Sequence, residues 1–331
     1  IPTIVAFLIN SIYSLADTYF VSSLGTNATA AVSVNASLDQ LIMMCGSLLA
    51  VGANSYIARL LGEGQDKKAS QVLSTAFFSA FGIGALLMVF GNLFILPMVR
   101  FLGATPTCEQ YAVDYATYVL YAAPFMATSF VMNQCLRSEG SATLSMVGMG
   151  LGGILNCVLD PIFIFAFDMG VAGAGWATII SQFVSFCLLL RGCSKGSNIH
   201  IHIRNVKFKW HYFNMIIRGG LPSLARQSLA SVATICLNHA AQPYGDAAIA
   251  AMGVVQRITM FGASTMLGFG QGFQPVCGFN YGAGLYSRVK AGFWFCVKVS
   301  FSFLLSVGIL GCLFAPQLVS LFRDDPAVIE F

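Results

Sequence analysis

The sequence predicts an all-α polytopic membrane protein with two pseudo-symmetric six-helix lobes, the second truncated. Three observations predict it. Of 331 residues, 57% are hydrophobic and 9% charged, against roughly a quarter charged in soluble domains, and mean hydropathy is +0.76. The apolar residues form long continuous runs rather than the ten-residue alternation of a transmembrane barrel. The chain also matches itself at a spacing of 220 residues. A surface so poor in charge faces lipid, which excludes a soluble enzyme, a nucleic-acid binder and a disordered chain.

A spanning helix needs about 20 apolar residues. The first run, 1–23, carries Asp17 as its one charge, and the second, 28–58, carries only Asp39. A polar loop at 59–68 follows, and then 31 uncharged residues separate Lys68 from Arg100. The fourth, fifth and sixth runs are 115–136, 140–159 and 169–190, with Asp160 and Pro161 closing the fifth. Residues 191–212 are the longest polar stretch and read as a connector. Runs at 213–243, 247–280 and 291–322 bring the expectation to nine helices, and 326–331 begins another. Ten scattered cysteines without a Cys-x-x-Cys read as packing residues.

Loop charge orients the chain. Arg59, Lys67, Lys68, Arg137, Arg191, Lys195, Arg204, Lys207, Lys209, Arg218, Arg288 and Lys290 fall on one side, and Arg100 and Arg323 on the other. Twelve against two places the first side in the cytoplasm. The first helix therefore runs outward, the 191–212 connector is cytoplasmic, and the expected location is the plasma membrane.

Without a gap over residues 1–68, the 220-residue shift pairs Pro2 with Pro222, Ser11 with Ser231, Gly25 with Gly245, Gly52 with Gly272, Gly62 with Gly282 and Gly64 with Gly284. It also pairs Ala28, Ala30 and Ala31 with Ala248, Ala250 and Ala251. Six helices separate the copies, so both run the same way, a parallel repeat about the membrane normal of the kind secondary transporters use. The expected units are an N-terminal lobe at 1–190, the connector at 191–212 and a C-terminal lobe at 213–331. Two full units would hold twelve helices, so the second lobe is expected to lack about three.

A carboxylate inside a bilayer costs about 2.5–3.5 kcal/mol on insertion scales. Asp17 and Asp160 both lie about 11–12 Å below the outer ends of their helices. Thr178 enters the same layer from the sixth run and Tyr115 from the fourth, and Asn156 stands one turn from Asp160 on the same face. Two carboxylates with amide and hydroxyl oxygens suit H⁺ or Na⁺, because hard cations take oxygen ligands and paired like charges call for a counter-charge. Asp39 and Arg257 are near-equivalent in the repeat and lie deep in their runs, where they suit a cavity lining or gate. His200, His202 and His211 read as a wet loop rather than a metal site.

These residues carry a family resemblance. Ala16-Asp17-Thr18, Gly52-Ala53-Asn54 through Ala58-Arg59-Leu60-Leu61-Gly62, and Leu136-Arg137-Ser138-Glu139-Gly140 are three of the matching pieces. Asn156-Cys157-Val158-Leu159-Asp160-Pro161, Gly173-Ala174-Gly175-Trp176-Ala177-Thr178, Gly272-Phe273-Gln274-Pro275 and Asn280-Tyr281-Gly282-Ala283 complete them. Over its whole length the chain resembles the multidrug and toxic compound extrusion (MATE) transporters, in particular the prokaryotic DinF-like branch. The resemblance implies two six-helix lobes around a central cavity and cation-coupled efflux. It implies a cation site of Asp17, Asn156, Asp160 and Thr178, with Tyr115 and Asn133 in its network, and bending of the first helix at Pro2. Depth counting instead sets Asn133 near the inner end of its helix. The NorM-like branch has a Glu where this chain has Ala230, and the repeat counterpart of Asp17 is Leu237, so a carboxylate site in the second lobe is not supported.

The sequence therefore points to a monomeric secondary antiporter, not an enzyme, that exports amphipathic organic cations or drugs against H⁺ or Na⁺ with no cofactor. Its partners are a small-molecule substrate and the bilayer, with no nucleic acid. A flippase for lipid-linked precursors is the alternative, and it would need a basic cavity that only Arg226, Arg257 and Lys298 offer. No catalytic pair and no selectivity-filter loop supports an intramembrane enzyme or a channel.

Overall fold

The computed structural model describes residues 1–102, 104, 106–195, 199–244, 246–322 and 326–330. Gly245 and Arg323, which enter the repeat and the charge count, lie outside the described residues, as do 196–198 of the connector.

The described residues form helices α1 (Pro2–Ser22), α2 (Thr26–Gly62), α3 (Asp66–Leu93), α4 (Ile95–Phe101), α5 (Glu109–Ser138), α6 (Ala142–Pro161) and α7 (Val171–Lys195). After the connector come α8 (Trp210–Ala241), α9 (Asp246–Gly282), α10 (Tyr286–Leu313), α11 (Ala315–Phe322) and α12 (Pro326–Glu330). Nine of these are long, as the run count predicts. Seven are long and apolar enough to cross a membrane among the described residues: α1, α2, α3, α5, α6 with its continuation, α7 and α10. The other two long helices, α8 and α9, carry Arg218 and Arg226, and Arg257, within their runs.

The repeat is written into the element bounds. Helices α2 and α9 start and stop 220 residues apart, and so do α3 and α10. The α2–α3 turn is closed by Gln65 N–H to Leu60 O at 2.9 Å, and the α9–α10 turn by Leu285 N–H to Asn280 O at 2.9 Å. Gly64 and Gly284 sit at the left-handed position of these turns, both with φ +75°, where a Cβ would be strained. Phe94 and Phe314, again 220 apart, interrupt the backbone at φ −114° with ψ 32° and 22°. The 31-residue uncharged run is therefore two helices, not one. Pro97 and Pro316 just beyond each break lack the N–H that would continue the preceding helix.

In the first half, α5 packs on α2, α3 and α7, and α6 on α1 and α7. The halves meet where α8 and α9 lie against α2, and α9 lies against α1. Glycines set these crossings: a Cβ on Gly52 would collide with Ile216 O, one on Gly220 with Leu48 O, and one on Gly268 would press on Ile4. No residue of α10 is buried, and its Phe293, Trp294, Phe295 and Phe301 point outward.

The 191–212 connector is shorter than expected and not simply exposed. Helix α7 continues to Lys195 and α8 begins at Trp210. Between them Ile199 is fully buried in the core shared by α2, α3 and α5. The backbone N–H of His202 and of Lys207 donate to Ser74 and Thr75 of α3, each at 3.1 Å, and the Tyr212 hydroxyl meets Gln71 at 2.8 Å. Charge content marks this stretch as polar, but Ile199 still finds the core, with Ile201 packed beside it, while Ile203, Phe208 and Trp210 stay exposed.

Candidate functional site

The site forms where α1, α5, α6 and α7 converge. Asp17 comes from α1, one turn after Tyr13. Asn156 and Asp160 come from consecutive turns of α6. Pro161 then removes a backbone donor, and the helix widens into one π-type turn, Ile162–Ala166, closed by Phe167 N–H to Ile162 O at 3.1 Å. Such turns recur at functional sites because they re-aim the side chains beside them. Thr178 comes from α7, two turns inside its start.

The structure brings five of the sequence-derived residues together. The Tyr115 hydroxyl donates to Asp17 Oδ2 at 3.5 Å, and the Asn156 amide donates to Thr178 Oγ1 at 3.5 Å. Thr178 spends its own proton on Ala174 O at 3.0 Å, so its oxygen is left as an acceptor. The Asp17 and Asp160 carboxyls are neighbours and feel each other's charge. All five side chains are buried, Asp160 completely. Four oxygens have no hydrogen-bond partner: Asp17 Oδ1, Asn156 Oδ1 and both carboxylate oxygens of Asp160. Buried acceptors without donors are rare in folded proteins. Four of them converging from two helices fit a bound proton or a hard cation such as Na⁺.

Asn133 does not join them. Its amide donates to Ser145 O at 3.2 Å and to Met149 Sδ at 3.4 Å. Ser145 lies eleven residues before Asn156, about 16 Å along α6, which agrees with the depth count. Pro2 is the first residue of α1, a position where its missing N–H costs nothing. Asp39 and Arg257 are not paired: the ion pair among the described residues is Arg100–Glu109. Asp39 is instead an electrostatic neighbour of Asp17, Tyr13 and Tyr115, because its face of α2 turns toward α5, where Leu38 and Ile42 pack around Tyr115. Arg257 is exposed on α9.

Sequence reasoning missed Tyr13, whose signal is its place four residues before Asp17. It also missed a buried polar network nearer the cytoplasmic side. There Asn54 Nδ2 donates to Gln134 Oε1 at 2.9 Å, Ser138 bonds Asn54, and Gln134 and Arg137 reach Gln271 of α9.

A two-fold repeated bundle of membrane-crossing helices, with a buried carboxylate pair in one half, is an architecture that membrane transporters use. The MatE family model matches residues 2–162 and 222–331, and the chain belongs to that family of transporters, multi-pass proteins of the plasma membrane. The multidrug export protein MepA of Staphylococcus aureus strain N315 is 27% identical over 100% of this chain and 73% of its own length. A solved structure described as the outward-facing conformation of a multidrug resistance MATE family transporter of the MOP superfamily superposes with a TM-score of 0.93. It is 31% identical and covers 99% of this chain and 74% of its own. A MOP superfamily transporter from Pyrococcus furiosus, whose description reports reverse polarity of its binding pocket, gives a TM-score of 0.91 at 30% identity, over 99% of this chain and 74% of its own.

Proposed function

We propose that the protein is a cation-coupled antiporter that exports amphipathic organic cations or drugs by alternating access. The relatives named for multidrug export support the substrate class. The observation that carries the coupling is the group of four partnerless buried oxygens on Asp17, Asn156 and Asp160. Two adjacent carboxylates in low dielectric hold a proton or a metal cation between them or repel. Entry of H⁺ or Na⁺ from outside relaxes that repulsion and changes how α1 sits against α6. The lobes, 1–190 and 213–331 joined by 191–212, then rock to expose the substrate cavity to the other side.

The test is substrate counterflow in proteoliposomes with an imposed pH or Na⁺ gradient. Asp160→Asn keeps the size and polarity of the side chain and removes the charge. The expected result is a folded protein that still binds substrate and no longer responds to either gradient. An Asp160→Asn protein that couples export to an ion gradient as the parent does overturns the reading.

A further inference from the structure

The polar network at the inner end of α5 is held almost entirely by the first half of the chain, and a single residue of the second half completes it. Gln271 Oε1 on α9 accepts from Gln134 Nε2 at 2.7 Å and from Arg137 Nη1 at 2.8 Å. The Gln134 amide is oriented for this, because its oxygen is already taken by Asn54 Nδ2 at 2.9 Å. Arg137 is oriented by Ser145 Oγ of α6, which accepts from Nε at 3.2 Å, and by the Phe7 ring of α1, 5.6 Å beneath its guanidinium. Arg137 is only 3% exposed, Nη2 has no partner, and no carboxylate faces it among the described residues.

The geometry points to Gln271, with Arg137 and Gln134, as the inner gate of the transporter: the bonds that hold the cytoplasmic side closed while the Asp17–Asp160 layer communicates with the outside. The inference rests on the transporter reading, not on which ion couples it. Three features argue for a gate rather than a fixed strut. The bonds cross between the halves, so they must break if the halves separate on this side. Their acceptor is a neutral amide, so Arg137 is held by hydrogen bonds without the much stronger pull a buried ion pair would add. A buried guanidinium without a counter-charge is also costly, and opening lets water reach it, which offsets the bonds lost. The gate is thus strong enough to hold and weak enough to cycle.

The position makes opposite predictions for two substitutions. Gln271→Ala removes the shared acceptor of both bonds and favours the inward-open state. Gln271→Glu gives Arg137 a carboxylate partner and favours the closed one. Spin labels on unnatural amino acids at Lys67 and Ser287, exposed positions 220 residues apart in the first turns of α3 and α10, report the separation of the cytoplasmic ends. In the reconstituted protein, Gln271→Ala is expected to raise the ratio of long to short distances by about tenfold, the loss of a hydrogen bond to a charged donor. Gln271→Glu is expected to lower it and to slow export. Gln271→Asn, one methylene short of reach, moves the ratio in the same direction as Ala and serves if the Ala variant does not fold. The inference is overturned if the Ala or Asn variant leaves the ratio within twofold of the parent, or if Glu shifts it the same way as Ala. Because the distances are read with no ion gradient, failure here is separate from failure of the coupling site, which Asp160→Asn tests.

Discussion

Gly62 and Gly282 make one contact twice. A Cβ on Gly62 would collide with the Phe279 carbonyl oxygen, and a Cβ on Gly282 with the Arg59 carbonyl oxygen. Arg59 and Phe279 are themselves 220 residues apart, so the contact is its own image under the repeat, as a two-fold axis requires. Here α2 and α9 touch backbone to backbone, below the Gln271 bonds.

Gly62→Ala and Gly282→Ala are therefore expected to have matching effects. Each should lower stability by about 1–3 kcal/mol, the usual cost of overpacking, read as a fall in the melting midpoint in detergent. A large loss for one and none for the other would contradict the two-fold contact.

Thr178→Val keeps the shape of the side chain and removes the oxygen that accepts from Asn156. The cation concentration that half-saturates transport should rise about two- to tenfold, the worth of one hydrogen bond, with maximal rate retained. An unchanged ion dependence would place Thr178 outside the site.

Asn133→Ala tests the separation of that residue from the carboxylate layer. Losing its bonds to Ser145 and Met149 should cost about 1 kcal/mol of stability and leave the ion dependence of export where it was. A shift in ion dependence as large as that of Thr178→Val would join Asn133 to the site.

Glu139, just past the end of α5, gives a pH signature outside the membrane. Burial pushes its carboxyl up from 4.5 to about 7, so the folded state favours the protonated acid. The unfolded chain gives up that proton first as pH rises. The stability contributed by the neutral carboxyl is present below pH 4.5 and lost as pH rises to about 7. Glu139→Gln should therefore stabilise the protein relative to the parent above pH 7 and make no difference at pH 4.5, measured as melting midpoints across that range.

What was legible in the sequence follows from how much each feature stands out against an apolar background. Asp17 and Asp160 were legible because a charge in a spanning run needs a reason, and their depth could be counted from the helix ends. The repeat was legible because glycines at turns and crossings are not interchangeable. Gln134 and Gln271 were not, because a lone amide in a run is common and its partner lies 137 residues away. Repeat equivalence gives Asp39 and Arg257 a common depth but not their facing, and the neighbours of Asp39 are Asp17, Tyr13 and Tyr115. The breaks at Phe94 and Phe314 left one signal, Pro97 and Pro316, hidden in runs otherwise suited to a single helix.

The way the connector lies on α3 limits how the halves can move. A 22-residue polar segment free in water would act as a leash with a reach of tens of ångströms. Here Lys207 is fastened to Thr75, and Tyr212, in the first turn of α8, to Gln71, so only three peptide units separate the Lys207 clasp from the first residue of α8. That slack spans about 10 Å at full extension. The foot of α8 consequently travels with the first half, and motion of the second half becomes rotation about that foot rather than drift away from it. The joint is a pivot, with its axis set by serine and threonine hydroxyls on a neighbouring helix.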